Sequence, residues 1–389
     1  MTDVLEWLER RADDMAELLI RLVACETENP PGRCLADCAG LLGEAMDRLG
    51  LAPEILEPAP AGSLTEPRIV RGAAGNGEPV VYFHGHFDVV PAQDRAQFRA
   101  VRRGGTITGR GTADMKGGIV SMLYGAVAAR ELGLLDRGRI VIHLVCDEET
   151  GSSIGSGYLR ERNMIDRNAV AMLTAEQSGE VIWNAAKGAL SLRVDVHGRP
   201  AHVGEAVKGV NSFLHMLKVA APLDAYVREL SERGSMIVVG GRSGGGSNFN
   251  VVPERTWFTV DGRFHPEVDL DAELARIVGI VSDAARAAGA DVSVEVTQLA
   301  PPADTPASDP AATLLGRCVA EVTGRPARFE LCAGCLDTRW YAQLAIPSFG
   351  FGPGRFEVSH GPNEYVDESA LRRVAAVYAR YAGQLLATR

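Results

Sequence analysis

The segment PVVYFHGHFD, residues 79–88, joins a short apolar run to a polar cluster and is the starting point for interpreting the chain. Residues 79–83 have the composition and length of a strand buried on both faces. His86 and Asp88 follow it, and alternate residues of a strand point to the same side. Open α/β sheets bind their ligands at the carboxyl ends of strands, so this polar cluster is a candidate ligand site.

The same arrangement recurs along the chain. Apolar runs at 139–145, 170–173 and 346–351 predict three more buried strands. Residues 115–133 are rich in alanine, leucine and glycine with helical periodicity, and predict a helix between the first two strands. Strands that alternate with helices predict the α/β class, with a mostly parallel sheet and helices on both of its faces.

Acidic or imidazole side chains follow these further strands as well. Glu148 and Glu149 follow the second strand, Glu176 the third and His360 the last, while Asp114 lies in a glycine-rich loop before the helix. That loop lacks the third glycine of a dinucleotide-binding fingerprint and would place a carboxylate against the pyrophosphate, so we reject a dinucleotide-binding site there. Two imidazoles and three carboxylates at strand ends suit two zinc ions that share one bridging carboxylate.

The pattern changes near residue 187. Residues 189–197 alternate between apolar and polar types, as in a strand with one face exposed to solvent. A helix is predicted over 208–232, a strand over 255–264, a helix over 270–288 and a strand over 290–298. These elements predict a small α+β domain, with one sheet face covered by helices and the other available to pair with a second copy.

The domain organisation follows from this change. We expect a catalytic domain in two segments, 1–186 and 299–389, interrupted by an inserted domain at 187–298. A chain of 389 residues suits two domains.

Composition narrows the function classes. A net charge of −10 argues against nucleic acid and anionic membranes as main partners. The opening residues 1–23 predict one amphipathic helix without the features of a signal peptide, and no apolar run is long enough to cross a membrane. Seven scattered cysteines indicate a reducing compartment, so we expect a cytoplasmic protein.

The polar clusters, in their order and approximate spacing, resemble those of the co-catalytic zinc family that includes acetylornithine deacetylase, succinyl-diaminopimelate desuccinylase, aminoacylase and glutamate carboxypeptidase. The resemblance runs from about residue 15 to the C-terminus. It implies a zinc-peptidase-like catalytic domain. It also implies that the inserted domain is a ferredoxin-like lid through which two copies form a homodimer.

The resemblance implies a ligand set residue by residue. His86 and Glu176 would bind one zinc ion, Glu149 and His360 would bind the other, and Asp114 would bridge both. Co²⁺ or Mn²⁺ would suit the same imidazole and carboxylate ligands.

It also implies three catalytic roles. Glu148 would be the general base that takes a proton from a metal-activated water, and Asp88 would orient His86. His202 would cross the dimer interface to hydrogen-bond the substrate carbonyl in the partner's site. His84 faces the same way as His86 and is the alternative ligand, which Asp88 and the family pattern disfavour.

Three residues match the family's substrate-binding segments. Asn250 would contact the substrate, Arg263 would bind its carboxylate, and Gly334 would line the site. Arg263 has an alternative role, pairing with Asp261 on the same strand. One departure from the family pattern is Gln177, which replaces a proline and is not expected to touch a metal ligand.

The function that the resemblance implies is removal of the N-acyl group from an N-acyl amino acid by a dinuclear-metal amidohydrolase. A metallopeptidase of the same family, either a carboxypeptidase or a dipeptidase, is one alternative, and a hydrolase of another C–N bond is a second. A catalytically silent relative would lack a ligand or the base, and the chain has all of them.

Overall fold

The computed structural model describes residues 4–387, which divide into two compact units. The first unit contains the described residues up to Ala185, then Asp304–Leu331 and the chain from Leu336 onward. The second unit contains Ala186–Ala303 together with Cys332–Cys335. The sequence did not indicate that this last short segment groups with the second unit.

The strands and helices are numbered in chain order. The strands are β1 Glu54–Leu56, β2 Ile69–Gly75, β3 Val80–His86, β4 Val101–Arg103, β5 Thr106–Thr108, β6 Arg139–Val145, β7 Ala171–Thr174, β8 Ile182–Ala186, β9 Gly188–His197, β10 Met236–Gly245, β11 Arg255–Phe264, β12 Asp291–Ala300, β13 Ala303–Asp304, β14 Phe329–Cys332, β15 Ser348–Gly350 and β16 Tyr365–Asp367. The helices are α1 Val4–Glu9, α2 Ala12–Ala24, α3 Leu35–Arg48, α4 Lys116–Glu131, α5 Ser156–Glu161, α6 Ser212–Ala220, α7 Leu223–Glu232, α8 Leu270–Ala288, α9 Pro310–Thr323, α10 Thr338–Ala342 and α11 Glu368–Ala387.

A large sheet organises the first unit, in the strand order β1-β2-β6-β3-β7-β15-β8-β13, with β14 paired to β8. Its centre is parallel, since β3 pairs in parallel with β6 and β7, and β7 pairs in parallel with β15. These four strands are the ones predicted from apolar runs. Antiparallel β2 and β8 flank them, which gives the mostly parallel sheet that was expected.

Helices cover both faces of this sheet because its central strands are apolar on both sides. In β3, Val81 and Phe83 join a core that includes α4 and α11, whereas Val80 and Tyr82 join a second core on the opposite face with α5 and α10. Nearly every residue of α4 is buried, because the helix also packs against α11. The α/β prediction is confirmed.

The second unit is an α+β layer. Its sheet is antiparallel in the order β10-β11-β9-β12, and α6, α7 and α8 contribute to one core with it. Leu190, Leu192, Val194 and Val196 of β9 point into that core, as the alternating pattern predicts. The opposite face carries both charged and apolar residues: Asp195 pairs there with Arg193 and Arg255 at 2.9 Å, and Met236 and Val238 of β10 are exposed on it.

Two predicted helices are each divided. The opening helix is α1 and α2, separated at Arg10 and Arg11; residues 1–3 of that prediction lie outside the described part of the chain. The helix predicted over 208–232 is α6 and α7, with Pro222 at the junction, where it has no N–H to continue the first helix. Within residues 4–387, none of the helices has the length and apolar character needed to span a bilayer.

Candidate metal centre

The end of β3 carries the first two polar side chains of the site, His86 and Asp88, and both are buried. Nδ1 of His86 lies 3.0 Å from the carbonyl oxygen of Asp88 and 3.3 Å from Asp88 Oδ1. An imidazole that donates one ring N–H to such acceptors presents its other nitrogen as a ligand. That other nitrogen, Nε2, faces the carboxylate of Asp114.

Asp114 lies at the centre of the cluster, with one imidazole beside each of its oxygens. His86 Nε2 is 3.1 Å from Oδ1, and His360 Nε2 is 3.0 Å from Oδ2. The loop that carries Asp114 precedes α4, and the loop that carries His360 follows β15. The two histidines therefore converge on one carboxylate from segments far apart in the chain.

Glu364 fixes the backbone of the Asp114 loop. Its Oε1 accepts hydrogen bonds from the N–H of Asp114 at 3.1 Å and from the preceding N–H at 2.9 Å. Its Oε2 accepts from the buried guanidinium of Arg110 at 2.7 Å. Sequence reasoning gave Glu364 and Arg110 no role, because their partnership joins residues 254 positions apart.

Asp88 also holds the turn that follows β6. Its two carboxylate oxygens accept the backbone N–H groups of Glu148 and Glu149, each at 3.2 Å. Asn29 Nδ2 donates to Asp88 Oδ2 at 2.9 Å and was not singled out in the sequence. Asp88 therefore touches both the expected ligand His86 and the turn that carries the expected base.

Glu149 and Glu176 approach the two histidines from opposite sides of Asp114. Glu149 Oε1 is 3.5 Å from His360 Nε2, and Glu176 Oε1 is 3.8 Å from His86 Nε2. Ligand atoms of His86, Asp114 and Glu149 all lie within 4.8 Å of one another. The structure thus brings the five expected metal ligands together, with one histidine and one glutamate on each side of Asp114.

The donor set fits metal cations. Glu149 Oε1 and Glu176 Oε1 are buried, and neither has a hydrogen-bond partner among residues 4–387. Buried carboxylate oxygens without partners are costly unless a cation or a donor satisfies them. Imidazole nitrogen and carboxylate oxygen together are typical ligands of zinc and of neighbouring transition metals.

The pKa values of the carboxyl and imidazole groups in the cluster also indicate that positive charge stabilises it. Burial raises the pKa of Glu176 to about 8 and raises the pKa of Glu148 well above its usual range. The hydrogen bond to Asp114 and the nearby carboxylate of Glu149 raise the pKa of His360 to about 10. Burial opposes the charge of His86, but its bonds to Asp114 and Asp88 outweigh burial and raise its pKa as well. Protons thus neutralise carboxylates that bound cations would neutralise directly.

Gln177 corrects one expectation. The sequence was interpreted as placing it away from the metal ligands, yet its Nε2 donates to Asp114 Oδ2 at 2.9 Å. Its side chain is buried and its Oε1 has no hydrogen-bond partner among the described residues. The proline that is usual at this position has no side-chain N–H, so the family pattern gives no sign of this contact.

His84 does not join the cluster. Its Nε2 lies 2.9 Å from Asp337 Oδ2, and its Nδ1 lies 3.2 Å from the hydroxyl of Tyr341. Both ring nitrogens therefore have partners other than Asp114, and the alternative to His86 is wrong for this structure.

The remaining expected site residues lie in the second unit. His202 precedes a short 3₁₀ turn, with its Nδ1 accepting the N–H of Gly204 at 3.1 Å, and the carbonyl of Asn250 accepts the N–H at 203 at 2.9 Å. Arg263 pairs with Asp261 at 3.0 Å, which is the alternative that the sequence left open. Gly334 lies in the short segment that groups with this unit. Their catalytic and substrate roles stay predictions.

The fold and this cluster define a class of protein: an α/β protein with a candidate metal centre at the carboxyl ends of parallel strands. The chain belongs to the peptidase family M20/M25/M40, whose family model matches residues 82–384. The expected family and the expected enzyme class, an amidohydrolase, are thereby confirmed.

Three similar proteins illustrate the family. The chain is 28% identical to succinyl-diaminopimelate desuccinylase of Gluconobacter oxydans, over 95% of this chain and 96% of that protein. Its fold is similar to that of human carnosine dipeptidase 1, with a TM-score of 0.78, 17% identity, and coverage of 99% of this chain and 98% of that one. It is also similar to a dinuclear metal binding peptidase of Bacillus subtilis, with a TM-score of 0.68, 14% identity, and coverage of 98% and 100%.

Proposed function

We propose that the chain is a dinuclear-metal amidohydrolase that removes the acyl group from an N-acyl amino acid. The observation that carries the proposal is the placement of Asp114 between two histidine–glutamate pairs, with an imidazole at 3.0–3.1 Å from each of its oxygens. The similarity to a desuccinylase along 95% of the chain supports an acyl group as the part that is removed.

Two zinc ions fit this arrangement. His86 and Glu176 would hold one ion, Glu149 and His360 the other, and Asp114 would contribute one oxygen to each. When bound, such ions lower the pKa of a coordinated water and polarise the carbonyl of the scissile amide. Cobalt or manganese would suit the same donors.

Glu148 would act as the general base. Its backbone is fixed by Asp88 beside the proposed ligand Glu149, and its carboxyl group is buried. Because burial raises its pKa, the group binds a proton more readily than a free glutamate does. It would take a proton from the attacking water and deliver it to the leaving amine.

The substrate contacts expected of residues in the second unit belong to the same proposal. His202, Asn250, Arg263 and Gly334 are proposed to contact the substrate, with His202 acting in the partner subunit of a homodimer. The outer face of that unit's sheet, where Met236 and Val238 are exposed, is the surface proposed for such pairing. The cytoplasmic location expected from the seven thiols is likewise proposed.

The first experiment is a substrate panel. Metal-reconstituted protein is assayed with N-acetyl, N-succinyl and N-formyl amino acids and with dipeptides, beside a chelator-treated control. Chelator-sensitive release of free amino acid from one acyl series is expected. Cleavage of dipeptides alone would instead support the metallopeptidase alternative. A metal-loaded protein that cleaves neither the N-acyl amino acids nor the dipeptides would indicate a hydrolase of another C–N bond.

Glu148→Gln is the matched variant for this assay. It keeps the size of the side chain and removes the base, so turnover is expected to fall by about 10²–10⁴-fold. Metal content, measured by elemental analysis, is expected to stay that of the wild type. Loss of metal instead would show that Glu148 is a ligand rather than the base.

A further inference from the structure

A chain of hydrogen bonds runs through the first unit on the side of β3 away from α4. Arg71 Nε lies 3.3 Å from His143 Nε2, and His143 Nδ1 lies 2.8 Å from the hydroxyl of Tyr341. The same hydroxyl lies 3.2 Å from His84 Nδ1, and His84 Nε2 lies 2.9 Å from Asp337 Oδ2. Arg71 is half-buried at the outer end, and the other four side chains are buried.

The chemistry of the groups allows only one direction for these bonds. A guanidinium only donates, so His143 Nε2 must accept from Arg71, and the ring proton of His143 must be on Nδ1. Nδ1 then donates to the oxygen of Tyr341, whose hydroxyl donates in turn to His84 Nδ1. The proton of His84 is therefore on Nε2, where Asp337 accepts it. Burial, followed by the nearby charge of Arg71, lowers the pKa of His143 and agrees with a neutral ring.

The inner end of the chain reaches the turn that carries Glu148 and Glu149. Asp337 Oδ2 accepts a second hydrogen bond, from Ser156 Oγ at 2.6 Å, where α5 begins just after that turn. Arg339, 3.3 Å from Asp337 Oδ1, donates to the carbonyl of Gly151 at 2.8 Å. Gly151 is the residue that ends the turn.

The turn is thus held on two sides. Asp88 binds its backbone N–H groups from the metal side, and the Asp337–Arg339 pair binds Gly151 and Ser156 from the other. Only the Nε2–H tautomer of His84 donates to Asp337 while accepting from Tyr341. Reversal of any bond in the chain would leave a buried donor or acceptor unpaired.

We infer that His84, Tyr341 and Asp337 are positioning residues that hold the Glu148–Glu149 turn in register with the metal centre through this one-directional chain, which Arg71 orients. The inference rests on the proposed function for its kinetic consequence. Its structural content, the two tautomers, does not depend on any substrate.

The first test is ¹⁵N NMR of histidine-labelled, metal-loaded protein. The expected spectrum shows His143 protonated on Nδ1 alone and His84 protonated on Nε2 alone. A His143 proton on Nε2, or a His84 proton on Nδ1, would overturn the direction of the chain. Arg71→Met removes the orienting donor and is expected to populate both tautomers of His143. Arg139→Met, a change at a neighbouring surface arginine that pairs with Glu78 instead, is expected to leave them unaltered.

The second test removes the central hydroxyl. Tyr341→Phe is expected to lower kcat and zinc retention against a chelator by about tenfold. This is the lower end of the cost of losing a direct partner of a ligand, because Tyr341 acts on the turn through His84 and Asp337. Tyr226→Phe is the matched control, since it removes another buried hydroxyl, which donates to Glu273 within the second unit. Equal retention of zinc in the two variants would refute the positioning role, even for a protein that cleaves no N-acyl amino acid. A wild type inactive on the whole panel, with the zinc difference present, would refute the proposed function alone.

Discussion

The two carboxylate oxygens of Asp114 contact three side chains, two histidines and one glutamine. His86 approaches Oδ1, while His360 and Gln177 both approach Oδ2. A hydrogen bond to a ligating carboxylate fixes its orientation, and loss of such a partner typically costs about 10–100-fold in metal affinity. We therefore expect Gln177 to be a determinant of the centre at the scale of a single side chain.

Gln177→Met tests this role by keeping the length of the side chain and removing its N–H donor. We expect metal affinity to fall by about tenfold, because Asp114 loses the contact that orients Oδ2. Competition titration with a chromogenic chelator measures the change. Gln343→Met, at an exposed position after α10, is the control. Unchanged affinity in both variants would remove Gln177 from the list of determinants.

At the scale of elements, the centre depends on how closely α4 packs against the end of β7. A Cβ at Gly118 of α4 would lie 2.0 Å from the carbonyl oxygen of Ala175 and 2.9 Å from its Cβ. Ala175 immediately precedes the expected ligand Glu176. The glycine allows helix and strand end to approach at a distance that no other residue permits.

Gly118→Ala is expected to destabilise the protein by about 1–3 kcal/mol, because overpacking forces α4 and the Ala175 segment apart. Denaturant unfolding measures the change. Gly40→Ala in α3 is the control: nothing lies within 4 Å of its added Cβ, so it should stabilise by about 0.5–1 kcal/mol. An equal gain in both variants would contradict the close contact.

At the scale of the whole molecule, bound cations would link metal content to stability. Glu176 has a folded pKa of about 8, above its ordinary 4.5, and His360 one of about 10, above its ordinary 6.5. Both raised values mean that the folded protein binds more protons than the unfolded chain. Their stabilising contribution is therefore complete at low pH and is lost as pH rises through the folded pKa values.

We accordingly expect the Tm of chelator-treated protein to fall between about pH 5 and pH 8. The Tm of zinc-loaded protein should fall less over this range, because a ligand that binds only the folded state stabilises it. Thermal scans of both forms over this range measure the difference. Glu176→Gln should reduce the pH dependence of the chelated form. A chelated Tm that rises with pH would contradict the assignment.

Part of this molecule could be predicted because the evidence is local in the chain. The strand predicted at 139–145 has the bounds of β6, and the run at 79–83 overlaps β3 from residue 80 onward. Both were predictable because such an apolar run has to be buried on both faces. The parallel order then brings Glu149, Glu176 and His360 to one sheet edge, because parallel strands end on the same side. Local patterns failed at Pro222, where one predicted helix is two.

The sequence by itself determined the fold class, the family, and the kinds of side chain collected at the strand ends, because periodicity and short polar clusters lie within a few residues of one another. Only the tertiary structure decided which other side chains form hydrogen bonds with these polar side chains and their neighbours. Asn29 beside Asp88, Arg110 beside Glu364 and His84 beside Asp337 join positions 59, 254 and 253 residues apart. No pattern within a segment records such a contact, since each partner is chosen by the packing of separate elements.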